Sequence, residues 1–508
     1  MRRSSGNKIN DYWTEQYNEQ NISGETRKDL VSRGIKRSRG QVITDYTKSK
    51  FGKILLVVIG LFFIGLPAYF LGKHIYNVIR SNQDTIITVS YETFGGTLYN
   101  PIEFEVGDTF PLLFYRPEKE GHQFMGWYLD ADFTESVNAS FLNDFYVEDV
   151  TLYARFVSSD TEVNLSFDTM GGSALEDVTL HVGDSLNTYL PTKDNLYFAG
   201  WYEDQDYLNI VTHADTHHST LYAKWSRYPM VTIGDARTQY YITAPPYHYK
   251  SFAVDGGIQM SRYEVNYELW YQIRTWAMNN GYTFAHEGKA GSMGTIGANP
   301  MSLGDQPVTN ISWLDAIVWL NAYSEYEDLT PIYVNENNEV IKEANLTASV
   351  MESIKVREAN GYRLPTMFEW MMAARWVNQT EYRSDFALFG GRYWLDPETY
   401  AGQLSDGDMY RNQVSWNLYN SNNQTHEIGL KTPNGLGMYD LSGNVMEMVY
   451  DALGDDFSKR LSFGGSYRNA DFITWLFDQP YDAANTQTGF RIASGKIATY
   501  EYKPPTSA

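Results

Sequence analysis

Residues 54–72 read ILLVVIGLFFIGLPAYFLG, nineteen residues without one charge. At 1.5 Å per residue that run covers about 28 Å, roughly one hydrocarbon core. A buried helix of a globular core would keep a polar edge. This run is apolar on every face and carries Lys48, Lys50 and Lys53 on one flank. It predicts a single transmembrane helix, in which Pro67 is tolerated because neighbouring groups re-satisfy the backbone. Charge changes sign at this point. Residues 1–53 hold 12 Lys and Arg against 6 Asp and Glu, a net of +6; the remaining 28 and 56 give −28, which sums to the chain's −22. Arg33, Lys36, Arg37 and Arg39 add to the basic flank, whereas only Lys73 and Arg80 follow closely. The positive-inside rule therefore places residues 1–53 in the cytoplasm and the rest outside the cell membrane, a single-pass protein. The basic segment and the apolar run are both too long for a cleaved signal peptide, and no A-x-A site follows, so an uncleaved signal-anchor is expected. The tail 1–53 shows no hydrophobic period and reads as a disordered segment whose basic cluster lies on anionic lipid.

The acidity of the part beyond the membrane repels phosphate backbones, so no nucleic-acid partner is expected. The chain has no cysteine. Disulfides, thiolate nucleophiles and zinc–sulfur sites are thereby excluded.

Two segments, 85–157 and 162–226, repeat four landmarks in order. The first holds Phe94-Gly95-Gly96, Val106-Gly107-Asp108, Gly126-Trp127-Tyr128 and Leu152-Tyr153-Ala154-Arg155. The second holds Met170-Gly171-Gly172, Val182-Gly183-Asp184, Gly200-Trp201-Tyr202 and Leu221-Tyr222-Ala223-Lys224. Alternation over 87–91 and 163–167 predicts a strand, and each Gly-Gly pair a turn with positive φ. These landmarks resemble the internalin B-repeat, or Listeria–Bacteroides repeat, of bacterial surface proteins. The resemblance implies small β-grasp-like modules that act in adhesion or as a spacer; without a polar cluster the spacer is favoured. His213, His217 and His218 are read as a solvated loop.

From residue 228 to 496 the pattern changes. Apolar spacing over 312–321 predicts a helix capped by Ser312 or Asn310, and residues 365–375 predict a second, with Pro365 at its start and Glu369 in its first turn. The blocks Tyr263-Glu264-Val265, 306–316, Gly361-Tyr362-Arg363-Leu364-Pro365-Thr366 with Glu369-Trp370, 433–447, Gly464-Gly465-Ser466-Tyr467 and Gly489-Phe490-Arg491 resemble the formylglycine-generating-enzyme, or sulfatase-modifying-factor, family. The resemblance implies a C-type-lectin-like domain. The whole chain then reads as α+β: a basic cytoplasmic tail (1–53), a transmembrane signal-anchor (54–72), two β-grasp-like modules (85–157 and 162–226), the formylglycine-generating-enzyme-like domain (228–496) and a tail (497–508).

Formylglycine generators of that family use two cysteines that hold copper, shortly after the Gly-Gly-Ser-aromatic block. Here that stretch runs from Arg468 through Asp471 and Trp475 to Phe477, without cysteine. No copper is expected, since Cu(I) selects soft thiolates. The family's calcium loop maps onto Asp440, Gly443, Val445 and Glu447, two carboxylates and two backbone carbonyls suited to a hard cation. The bland alternative is that these carboxylates cap local turns. His248, His286 and His426 lack ligand spacing and read as ordinary core or surface histidines.

Two functions follow. In the first the domain, catalytically dead, binds an extracellular protein, glycan or envelope partner through Tyr467, Arg468, Asp471, Trp475 and Arg491; aromatic and amide side chains of 466–489 suit recognition. The alternative for those aromatics is that they fill the space of the lost copper site. In the second function the domain is a cysteine-independent extracytoplasmic oxidoreductase, with Arg468, Asp471 and Arg491 converging in a pocket.

Overall fold

The computed structural model describes residues 86–105, 117–135, 137, 149–236, 239–242, 251–345, 354–378, 386–389, 392–395, 401, 408–453, 456–469, 476–495, 497 and 499–502. The apolar run 54–72 and the basic tail lie outside the described residues. Among those described, no helix is long and apolar enough to cross a membrane. The described chain is rich in sheet, with few helices.

In the first repeat, strands β1 (Ile86–Glu92), β2 (Ile102–Glu105), β3 (His122–Tyr128) and β4 (Val150–Ser158) form a sheet of order β2-β1-β4-β3. The second repeats this with β5 (Glu162–Asp168), β6 (Val178–His181), β7 (Tyr197–Tyr202), β8 (Ile210–Val211) and β9 (Thr220–Ser226), ordered β6-β5-β9-β7-β8. The central pair is parallel in both, Val89 against Val150 and Ser166 against Thr220.

The landmarks mark where this sheet must deviate. Gly126 (φ +123°) and Gly200 (φ +107°) lie in the register shifts of β3 and β7, where a bulge turns the following Trp and Tyr inward. Trp127, Tyr128, Trp201 and Tyr202 are buried, as are Ala154 and Ala223 opposite the tryptophans and Leu152 and Leu221 on the same neighbouring strands. The Gly-Gly pairs divide their work. Gly95 and Gly171 have positive φ, and so do Phe94 and Met170 before them. Gly96 and Gly172 do not; they admit an aromatic ring. A Cβ on Gly96 would meet Phe156 Cζ at 2.8 Å, and one on Gly172 would meet Trp225 Cζ2 at 2.4 Å.

The second repeat is fastened to the C-terminal domain rather than strung loosely before it. Lys224, at the end of its last landmark, is fully buried and donates to Ser494 Oγ (3.1 Å) and the Asn360 carbonyl (3.2 Å). Its ammonium stands 5.5 Å from the ring centre of Tyr202 and 5.7 Å from that of Tyr362. Burial pulls its pKa down to about 8. Tyr362 donates to Ser226 Oγ, and Asn360 Nδ2 to the Asp206 carbonyl. The first repeat leans on the second through Met125, which lies in the second repeat's hydrophobic cluster, and through Arg155, hydrogen-bonded to His217. His218 is therefore packed, not part of a solvated loop, whereas His217 stays exposed beside Arg155. His218 Nε2 lies 3.2 Å from Asp215 Oδ2 and 3.5 Å from Glu203 Oε1, with His218 only 7% exposed.

The C-terminal domain packs helices α1 (Tyr267–Met278), α2 (Trp313–Tyr326) and α3 (Met367–Ala374) against short sheets. A fourth short helix, α4, covers Asp408–Val414. Ser312 caps α2 in a capping box with Asp315. Thr366, not Pro365, caps α3, again in a box with Glu369. α1 and α2 build one apolar cluster around Trp270, Trp319 and Phe490, and α3 a second around Trp370 and Phe463. Trp270 and Trp319 stack with centroids 5.7 Å apart. The segment read as a tail, 497–508, contributes a strand, Thr499–Tyr502, paired antiparallel to Ser251–Asp255.

Candidate functional site

The strand Met446–Leu453 runs parallel to Thr488–Phe490, with Glu447 opposite Gly489. That register puts Arg491 beside the Glu447 carboxylate. Arg491 donates from Nε to Oε2 (2.9 Å) and from Nη2 to Oε1 (2.6 Å), a two-pronged pair at 0% and 1% exposure. Trp370 Nε1 adds a third donor at 2.7 Å. Arg491 also donates to the Ser261 and Tyr439 carbonyls. Arg491, expected on the ligand face, is thus a core counterion, and Glu447 is shared before any cation arrives. A second buried pair, Arg363–Glu369, repeats the arrangement at 2.7 Å on both prongs.

The loop before Glu447 is held by a residue to which sequence reading gave no role. Glu264 accepts from Asn444 Nδ2 (2.7 Å) and from the Val445 amide (3.1 Å). Asp440 and Asn444 adopt positive φ, +57° and +56°. Asp440 Oδ2 accepts from the Gly429 amide at 2.7 Å, while its Oδ1 is buried without a hydrogen-bond partner. Three buried carboxylates, Glu264, Asp440 and Glu447, thus face one guanidinium. Burial, then repulsion from Asp440 and Glu447, raises the Glu264 pKa well above the usual carboxylate range. Burial likewise pushes Asp440 up to about 6. The excess negative charge and the orphaned Asp440 oxygen suit a hard cation; the commitment of Glu447 to Arg491 does not match a free terminal ligand. Among the described residues, no cluster of three or more His, Asp or Glu is spaced to hold a metal.

Beside this loop lies the turn of the absent cysteines. Tyr467 is fully buried, its hydroxyl 3.3 Å from Thr486 Oγ1, and its carbonyl accepts from Ser421 Oγ at 2.7 Å. It holds the turn and offers no ring to a ligand. Arg468 is exposed and donates from Nε to Asn423 Oδ1 at 2.9 Å. Asp471 and Trp475 lie outside the described residues. Arg468 and Arg491 do not converge: one is on the surface, the other in the core.

Around Arg468 two loops form a continuous face. Leu418 N donates to the Asn469 carbonyl (3.0 Å), joining loop 416–431 to the turn. Thr425 and Ser292 exchange two bonds, Ser292 N to Thr425 Oγ1 at 2.8 Å and Thr425 N to Ser292 Oγ at 3.0 Å, joining that loop to 288–306. These loops expose Met293 (73%), Met301 (85%), Tyr419 (63%) and Leu430 (59%), together with Leu418 and Ile296. These exposed apolar side chains thus sit on loops that hydrogen bonds brace against one another. Sequence reading missed this face because loop 288–306 has no periodicity. A separate cavity of about 150 Å³ lies where the two repeats meet residues 235–236, lined by Gln123, Met125, His213, Asp215 and Asp235 among others.

Comparison with known proteins agrees with the repeats and the C-terminal blocks. The chain is 35% identical over 147 residues to a protein of Evansella cellulosilytica named as a membrane protein, which covers 28% of this chain and 21% of that protein. It is 32% identical over 174 residues to a protein of Paenibacillus barcinonensis named chaperone protein LppX, 31% of this chain and 57% of that one. The chain thus spans between about one fifth and just over half of these relatives. Among solved structures, that of CarF is 26% identical with a TM-score of 0.39, covering 53% of this chain and 98% of that one. Treponema denticola variable protein 1 is 22% identical with a TM-score of 0.38, covering 56% and 98%. The Listeria–Bacteroides repeat domain matches residues 88–155 and 164–224. The sulfatase-modifying factor enzyme 1-like domain matches residues 230–496, more than half of the 508-residue chain. This chain therefore belongs to the sulfatase-modifying factor enzyme 1-like family and carries that domain after two Listeria–Bacteroides repeats.

Proposed function

We propose that this is a membrane-anchored bacterial surface protein whose C-terminal domain, of C-type-lectin-like architecture, has given up thiol chemistry and binds an extracellular ligand or an envelope partner. The run 54–72 serves as its single transmembrane anchor, with the N-terminus cytoplasmic, and the two β-grasp-like repeats hold the domain away from the bilayer. The relatives named as membrane proteins are in keeping with that anchor. The observation that carries the binding reading is the braced, exposed face of loops 288–306 and 416–431 beside Arg468. The oxidoreductase reading needs Arg468 and Arg491 in one pocket, and their separation favours binding.

Calcium belongs to the same proposal. Asp440 and the Gly443 and Val445 carbonyls would hold it, with Glu447 contributing while paired to Arg491. The ion would offset the buried negative charge of Glu264, Asp440 and Glu447 and stiffen the loop beneath the binding face.

The test probes a glycan and protein array with the full chain in detergent micelles, with and without chelator. A specific hit that weakens on chelation supports both parts. Turnover of an oxidisable small molecule with oxygen uptake overturns the binding reading.

A further inference from the structure

The net charge of −28 beyond residue 53 predicts a cationic partner, but the part of the binding face around Tyr419 and Arg468 carries a slight excess of cations. Within 408–432 and 464–469 stand three cations, Arg411, Lys431 and Arg468, against Asp408 and Glu427. Each cation is placed on an aromatic ring. The Arg411 guanidinium lies 4.3 Å from the ring centre of Tyr419, Lys431 Nζ 3.6 Å from that of Trp416, and Arg468 5.3 Å from that of Tyr467. His426 stacks on Trp416 with centroids 3.7 Å apart. Tyr419 is 63% exposed, so one of these rings is open to a ligand while its cation stays beside it.

The platform is built in advance. Asn417 N donates to Asn420 Oδ1 (2.8 Å), Tyr419 N to Asn417 Oδ1 (3.0 Å), and Ser421 Oγ to the Tyr467 carbonyl (2.7 Å). Little conformational entropy is left to lose on binding. An exposed ring with one guanidinium beside it, on a loop bonded through Leu418 N and the Asn469 carbonyl to the turn that exposes a second at Arg468, suits a ligand that presents a flat apolar face and carboxylates together. Arginine forks match carboxylate geometry, and the ring takes the face. Bare polyanions would use the cations and leave Tyr419 idle; neutral saccharides would do the reverse.

We propose that the face of Tyr419, Arg411 and Arg468 binds a uronate-bearing acidic polysaccharide. This rests on the binding reading above and names its ligand class.

The experiment uses the full chain in detergent micelles against four polymers: polygalacturonate, a neutral galactan, polyphosphate and polyglutamate. Polygalacturonate is expected to bind most tightly and to weaken at about 1 M salt, where the screening length falls to about 3 Å. Arg468→Gln and Tyr419→Ala should each weaken it about tenfold or more. Both positions are exposed, so the thermal midpoint serves as the folding control and should stay at the wild-type value. Equal or tighter binding of the galactan overturns the acidic class but leaves recognition by this face standing. Equal or tighter binding of polyphosphate or polyglutamate, with Tyr419→Ala silent, overturns the saccharide. Absence of binding to all four overturns the inference. Only oxygen-consuming turnover in the same preparation overturns the binding reading itself.

Discussion

Asp440→Asn separates the cost of a buried charge from the gain of a bound cation. Burial pushes the Asp440 pKa from 3.8 up to about 6. A carboxyl whose folded pKa is raised holds its proton more tightly in the native state. Its contribution to stability is therefore fully present below the unfolded value and is lost as pH rises through about 6. A shift of about two units corresponds to about 3 kcal/mol, an upper bound for the loss between pH 4 and pH 7. The asparagine has no charge to bury, and its amide oxygen still accepts from the Gly429 amide. In chelator the variant should match wild type at pH 4 and exceed it at pH 7, by about 6 °C in thermal midpoint at most. Asp451, also raised to about 6 by burial, titrates in both proteins and cancels. Relief of the Asp440 repulsion on Glu264 acts in the same direction. In saturating calcium the ranking should invert, because wild type gains about 4.1 kcal/mol at a thousandfold excess over Kd, more than burial costs it, and the variant lacks a charged ligand. The buried Trp313, Trp319 and Trp370 make intrinsic fluorescence the readout. Destabilisation of the variant at pH 7 in chelator would refute the burial argument. An unchanged wild-type midpoint on adding calcium would refute the cation.

Two further substitutions probe the scaffold. Arg491→Met strands the Glu447 carboxylate at 1% exposure and should cost about 3–5 kcal/mol, part of which a second change, Glu447→Gln, restores; additive losses in the double-mutant cycle would show that the pair is not coupled. Gly172→Ala drives a methyl to within 2.4 Å of Trp225 Cζ2 and 3.1 Å of the Thr192 carbonyl and should destabilise the second repeat by about 1–3 kcal/mol; a neutral result in thermal melts would mean that the ring moves aside at no cost.

What could be read from the sequence followed how local the cause is. The caps of α2 and α3 depend on Ser312 with Asp315 and Thr366 with Glu369, each three residues apart, and the helices begin there. The repeat landmarks were legible because a bulge glycine and two buried aromatics must recur wherever the same sheet bends. Conflicts arose where partners are distant in sequence. Glu447 and Arg491 are 44 residues apart, and only the parallel register of their strands joins them. Tyr467 looked like a ligand contact from composition, yet Ser421, 46 residues away, bonds its carbonyl and it lies in the core.

These long-range contacts also give the family blocks a structural role of their own. The block at 361–369 forms the Arg363–Glu369 pair and the cap of α3. Glu447 of the 433–447 block is bound by Arg491 of the last block and by Trp370, which follows Glu369 in the block just named. Glu264 of the earliest block closes the 444–445 turn. The 361–370, 433–447 and 489–491 blocks thus meet at Glu447, and losing Arg491 leaves that charge stranded at several kcal/mol. Such residues can hold the scaffold whether or not the sequence at 468–477 carries a thiol pair, so their presence identifies the fold and by itself assigns no function.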